Sequence, residues 1–181
     1  MKYNVNALAL SPLFTGISDD ELSSLLLCIS PDIREYKKGG IVLLHGSEAR
    51  SIGVLLSGQL RIINEDFYGN RCIISDIIPG DLFAEAFAFS SMKRLPVTAE
   101  AAADSEVLFI NGAVLASPCE RACGFHRRLI FNLLNAVSDK NIALTRKIEH
   151  TSKRTTREKL LSYLSEQAEK AGSPDFNIPF N

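Results

Sequence analysis

The chain has no tryptophan, two methionines and three histidines in 181 residues, and no apolar run approaches the roughly 18 residues of a membrane-spanning helix. Its first ten residues, MKYNVNALAL, lack the long apolar stretch and small-residue cleavage site of a secretory leader. A cytoplasmic protein with no membrane partner is therefore expected. In that compartment the four cysteines, Cys28, Cys72, Cys119 and Cys123, are expected as reduced thiols. An excess of one charge is missing too: 20 Lys and Arg stand against 21 Asp and Glu, a formal net charge of −1, which argues against a chain that holds nucleic acid by bulk electrostatics. Histidine is too sparse for a cupin-like metalloenzyme, whose neighbouring strands must each bring ligands, because His45 is the single histidine in the strand-forming part. No enzymatic activity is expected.

With 46% hydrophobic and 23% charged residues, the composition is globular, and a chain of this length buries enough surface to fold without disulfide or metal. Charge is concentrated locally. RKIEHTSKRTTREK, residues 146–159, has six basic and two acidic residues, so this stretch is +4 and the remainder is −5. It reads as a solvated face that, in an intact DNA-binding protein, could also approach phosphates.

Residues 11–28, SPLFTGISDDELSSLLLC, place Ser18 at a helix N-cap with Glu21 three residues on, then Leu22, Leu25 and Leu26 on one face. From Ile33 to Ile110, short Val, Ile and Leu runs alternate with KKGG, HGSEA, LSG, NEDFYGN and IPGD. This punctuation predicts strands near 41–44, 52–56, 59–64, 71–77, 97–103 and 105–110. LFAEAFAFS, residues 82–90, has no β-branched residue and predicts a helical turn or two whose opening N–H groups would suit an anion.

Beyond Pro118 the period becomes helical. Ile130, Leu134, Val137, Asn141, Leu144 and Ile148 follow steps of 4, 3, 4, 3 and 4, a heptad seam with one polar position. No second helix of comparable length is present to cover it, so the seam predicts a homodimer. Thr155 and Glu158 form a capping box that starts another helix near Thr156, ending at Ala171–Gly172 and leaving a break at 151–154. The tail SPDFNIPFN reads as one short strand.

Taken in order, PLFTGISDDELSSL, the G-G-x-V-x-x-x-G-S run of residues 39–47, VLLSGQLRI, IIPGDLFAE and SKRTTREKLLSYL make the chain resemble the Crp/Fnr family of bacterial transcription regulators along nearly its whole length. The resemblance implies an α+β fold: a double-stranded β-roll of the cyclic-nucleotide-binding jelly-roll kind, a long dimerisation helix and the start of a winged helix-turn-helix. The corresponding divisions are an effector domain over 1–118, the dimerisation helix over 119–150, and the hinge with the opening of the DNA-binding domain over 151–181. Asn181 precedes the helix-turn-helix of the family pattern, so DNA would be met only through that missing part, whether the chain is truncated or a natural fragment. The implied function is effector sensing that allosterically controls DNA binding. The alternative is a standalone cyclic-nucleotide-binding regulatory module.

The resemblance also points to a phosphate-binding cassette. Cyclic-nucleotide binders of the family carry G-E-L with an Arg and a small residue about ten positions after the Glu, the Glu on the ribose hydroxyl and the Arg on the cyclic phosphate. Here Ala84-Glu85-Ala86 replaces G-E-L, Leu95 holds the Arg position, and Arg94 comes one place early. In extended backbone a one-residue shift turns a side chain to the other face, so cyclic AMP is not expected to fit unless a bulge restores Arg94. A small anionic or aromatic effector is expected instead. Its site is read as the backbone donors of Ala84, Glu85 and Ala86, apolar walls from Phe83 and Phe87, Arg94, the strand start at Val97 and Thr98, and Asn141 and Thr145 of the long helix.

Several of these residues carry a second reading. Glu85 also suits a solvated carboxylate at a helix N-terminus, Arg94 a loop charge, Asn141 a register residue of the seam and Thr145 an ordinary helix surface. Cys119, Cys123 and His126 stand at i, i+4 and i+7, a spacing open to packing, to thiol pairing or to a soft metal, with packing favoured and no cofactor assigned. His45 and His150 are explained by turn and helix-terminus roles.

Overall fold

The computed structural model describes residues 5–92, 94–117 and 124–178. The chain divides into two compact units, residues 1–137 and 138–181.

The first unit opens with α1 (Val5–Ala9), a 3-10 turn (Pro12–Phe14) and α2 (Asp19–Ile29). Helix α2 starts at Ser18 because its hydroxyl accepts the Glu21 N–H while the Glu21 carboxylate accepts the Ser18 N–H, satisfying two donors that a helix start leaves open. Leu22, Leu25, Leu26 and Ile29 form its buried face.

Eight strands follow: β1 (Asp32–Tyr36), β2 (Ile41–Leu43), β3 (Ser51–Ser57), β4 (Leu60–Glu65), β5 (Arg71–Ile77), β6 (Leu82–Phe83), β7 (Thr98–Ala101) and β8 (Ser105–Asn111). They make two four-stranded antiparallel sheets, ordered β1-β8-β3-β6 and β2-β7-β4-β5. Strands β3 and β8 are almost wholly buried because both of their faces are covered. Ile52, Val54 and Leu56 with Leu108 and Ile110 pack among the helices, whereas Leu55, Val107 and Phe109 point into the roll with Phe83, Leu60, Ile77 and Ala101. The resulting sequences, SIGVLLS and SEVLFIN, are continuous apolar runs rather than alternations.

Between β6 and β7 lies α3 (Glu85–Phe89), and after β8 comes α4 (Gly112–Ala116), capped by the Asn111 side chain on Ala113 N–H. Helix α5 (Gly124–Thr151) contributes residues to both units. In the first unit its His126, Leu129 and Leu133 are buried. In the second unit α6 (Thr156–Ala171) begins at the Thr155–Glu158 capping box and ends at Gly172, whose left-handed φ of 62° lets its N–H close on Ala168 and Glu169 carbonyls.

Two local expectations are corrected. Residues 82–90 are not helical throughout: Leu82 and Phe83 pair with Val54 and Gly53 as β6, and helix is confined to Glu85–Phe89. The tail is no strand over residues 173–178. Ser173 Oγ instead accepts the Asp175 N–H in a local turn, and Pro174 has no N–H to give to a ladder. Strand β1 and the short helices α1 and α4 were not anticipated from the sequence.

Candidate functional site

The cassette region is built on an unusual backbone. Ala84 takes the left-handed conformation, with φ 63° and ψ 3°, and caps the start of α3. The N–H groups of Phe87 and Ala88 close on the Ala84 carbonyl, so those of Ala84, Glu85 and Ala86 precede the first helical bonds. Glu85 is buried at the first position of α3. The geometry that a glycine would adopt freely is thus kept with alanine in its place.

Arg94 and Leu95 face opposite ways. Arg94 is exposed, its backbone pairs with that of Glu48 in an isolated antiparallel bridge, and its Nη1 donates to the Gly46 carbonyl at 3.1 Å. Leu95 is 2% exposed and holds Ser47 and Gly46 through backbone bonds of 3.0 and 2.8 Å. The position ten residues beyond Glu85 therefore presents a buried isobutyl group, and the neighbouring guanidinium is bonded to a loop carbonyl.

A cavity of about 440 Å³ lies between α3, α4 and the first part of α5. Phe89, Leu115, Ile130, Leu133, Leu134 and Val137 supply most of its wall, with Glu85 and Ser90 as its polar members alongside Ala86 and Ala116. Of the residues expected at the site, Glu85 and Ala86 are brought to this cavity, together with the seam residues Ile130, Leu134 and Val137. Phe83 is not among the lining residues. Its ring fills the roll, edge-to-face on Phe109 with centroids 6.1 Å apart. Phe87 is partly buried, and Phe89 is the aromatic at the cavity. Val97 is partly buried just before β7, and the Thr98 hydroxyl accepts the His45 N–H at 3.2 Å. Asn141 and Thr145 belong to the second unit, where the Thr145 hydroxyl donates to the Asn141 carbonyl at 2.9 Å.

Leu115, Ala116 and Leu133 were missed from the sequence. Leu115 and Ala116 come from a five-residue helix too short to show a period, and Leu133 stands beside the seam rather than in it.

Cys119 and Cys123 lie outside the described residues. His126 is buried, with Nε2 3.0 Å from the Leu115 carbonyl, and no cluster of three or more His, Cys, Asp or Glu side chains able to hold a metal occurs among the described residues. The remaining seam residues, Leu144 and Ile148, are 60% and 64% exposed, and Leu134 is 59% exposed. Among the described residues no helix is long and apolar enough to cross a membrane.

Residues 33–122 match the family model described as the cyclic nucleotide-binding domain. No curated protein shows significant sequence similarity to the chain. Solved structures do resemble it. The catabolite activator protein of Thermus thermophilus superposes with a TM-score of 0.64 at 20% identity over 78% of this chain, which spans 63% of that protein. A transcriptional regulator from Thermotoga maritima gives 0.56 at 26% identity, covering 73% of this chain and 98% of that one. The sensor domain of the transcriptional regulator DNR from Pseudomonas aeruginosa gives 0.58 at 22% identity, covering 83% of this chain and 93% of that one. The paired antiparallel sheets, the segment between β6 and β7 and the long helix after them agree with these comparisons: residues 33–122 are similar to the cyclic nucleotide-binding domain, and the fold is that of these solved transcriptional regulators and activator.

Proposed function

We propose that the chain is the effector-sensing and dimerisation part of a Crp/Fnr-like transcription regulator, and that its effector is a small apolar or aromatic molecule rather than a cyclic nucleotide. The observation that carries this reading is the cavity of about 440 Å³ beside the cassette, whose wall is apolar apart from Glu85 and Ser90. Its size falls within the roughly 300–1,000 Å³ of small-molecule sites, and such sites combine apolar walls with few polar groups. The buried Leu95 supports the exclusion of a cyclic phosphate, since a phosphate placed against it would lose its hydration without gaining a cationic partner.

In this reading the seam from Ile130 to Ile148 pairs two copies, and Asn141 fixes their register. Helix α6 opens the DNA-binding domain. An effector wedged against α3 and α5 biases the state of α5, which the break after Thr151 converts into a change of DNA-reading geometry.

Calorimetry with cyclic AMP and fluorescence titration with an anilinonaphthalene sulfonate probe test the proposal together. The expected result is no micromolar binding of cyclic AMP, and probe binding that Ala116→Phe, which fills the cavity, abolishes. Micromolar cyclic AMP binding lost in Arg94→Ala would overturn it.

A further inference from the structure

The basic stretch 146–159 is not a uniform solvated face, because part of it converges on one cavity of the second unit. His150 meets Ser162 and Arg146 meets Glu166, so the end of α5 and helix α6 form an antiparallel hairpin. Two cavities flank this hairpin and share Arg146, His150, Glu166 and Lys170. Their charges differ. The cavity of about 660 Å³ adds Lys153 but also Glu149 and Glu169, so three Lys and Arg side chains stand against three carboxylates. The cavity of about 530 Å³ adds Lys147 and Lys159 and no further acid, so four cations line it with Glu166 as its one carboxylate.

Glu166 cannot neutralise this second cavity, since its single charge is shared between Lys170 at 2.7 Å and Arg146 at 3.4 Å. Among the described residues the ammonium groups of Lys147 and Lys159 have no ion pair. A concave site lined by one sign of charge focuses its field and concentrates the opposite ion. The Thr151 hydroxyl is engaged on the Lys147 and Ile148 carbonyls, which leaves the Gln167 amide and the Tyr163 hydroxyl as the neutral donors of the wall.

We infer that this cavity binds a polyphosphate group, either free or carried by a nucleoside, through Arg146, Lys147, Lys159 and Lys170. Four cations less one carboxylate leave +3. One phosphate monoester brings about −1.5 to −2, so more than one phosphate is needed to balance the site. The volume is that of a small-molecule site, and the cations line a concavity rather than the extended face that a nucleic-acid duplex requires. Arg146 offers a bidentate fork to the phosphate oxygens and the lysines act as point charges. Arg146 and Lys170 would exchange Glu166 for phosphate, so ligand and Glu166 compete for the same two cations and binding re-sorts the contacts between the two helices.

Calorimetric titration of the full chain with sodium tripolyphosphate and with ATP tests this. Saturable binding is expected, weakened at least about tenfold in Lys147→Gln/Lys159→Gln, as loss of charge-assisted hydrogen bonds does. Glu166→Gln, which removes the competing carboxylate, is expected to tighten it. Lys153→Gln makes the same charge change within the same basic stretch but in the other cavity, and should leave the affinity within about twofold, since its charge is distant and screened by salt. Far-UV circular dichroism checks that each variant keeps its helices. Equal affinity for the two probes identifies the phosphate chain as the whole ligand, and tighter ATP that Tyr163→Ala returns to the tripolyphosphate value identifies a nucleoside carrier; either supports the site. No saturable binding of either probe below about 1 mM overturns it, as does equal weakening by Lys153→Gln, which would reduce the effect to diffuse charge. A mixed-sequence DNA duplex that displaces tripolyphosphate and depends on the same two lysines also overturns it, making the surface one for nucleic acid.

Discussion

The Nδ1 atom of His150 lies 2.9 Å from the Ser162 hydroxyl, which ties the last turn of α5 to α6 across the intervening break. The other ring nitrogen meets the Glu166 carboxylate, and the Tyr163 ring packs edge-to-face on the imidazole at 6.0 Å. Glu166 also receives Lys170 at 2.7 Å and Arg146 at 3.4 Å. One carboxylate thus gathers cations from both helices, so the geometry of the elbow depends on its charge.

Acid should loosen this elbow. The hydrogen bond from Lys170, and next that from His150, hold the Glu166 carboxyl at about 2, below its ordinary value of 4.5. A carboxylate whose value is lowered by folding stabilises the fold fully above its unfolded value, and that contribution drains away as pH falls from 4.5 towards 2. Thermal melts of the helices followed across this window should therefore decline, and Lys170→Met should flatten the decline more than His150→Gln. Equal acid sensitivity in Lys170→Met and the wild type would remove Glu166 as the cause.

What the sequence revealed follows from the range of the forces involved. The Ser18–Glu21 and Thr155–Glu158 boxes are local, each closed within four residues, and both are found where the pattern places them. The opposite orientations of Arg94 and Leu95 were also legible, because alternation in extended backbone is local. Phe83 and Phe89 could not be told apart that way. Both belong to one Ala- and Phe-rich run, and only the pairing of β6 with β3, about thirty residues away in sequence, turns Phe83 into the roll and leaves Phe89 at the cavity. The wall given by Leu115 and Leu133 is likewise a product of tertiary packing. Strand β1 was hidden because DIREY mixes charge with two apolar residues, and its regular pairing with β8 is what makes it a strand.

Gly53 should tolerate no side chain. A Cβ placed there would come 2.3 Å from the Phe83 ring, inside a cluster that already holds Phe109 and Leu55. Gly53→Ala should therefore cost about 1–3 kcal/mol of stability, the usual price of overpacking a dense core. Phe83→Leu should recover part of the loss in the double variant. Urea unfolding of the four proteins measures this. Additive losses in the double variant would show that Phe83 is not what the new methyl meets.

Ala84 should be improvable, and in the opposite direction from ordinary helix substitutions. At φ 63° its Cβ crowds the following carbonyl, a conformation that costs an L-residue roughly 1–2 kcal/mol relative to glycine. Glycine there removes that strain but adds freedom to the unfolded chain, which offsets about 0.4–1 kcal/mol of the gain. The net expectation for Ala84→Gly is a stability increase of up to about 1.6 kcal/mol, the difference between these two terms. Ala86→Gly, in the first turn of α3 where the backbone φ is not positive, should instead lose up to roughly 0.5–1 kcal/mol. Opposite signs two residues apart are the signature of a left-handed residue at the mouth of α3. If both variants lose stability equally in denaturant titrations, Ala84 does not hold that conformation in solution, and the cassette backbone is not the one described.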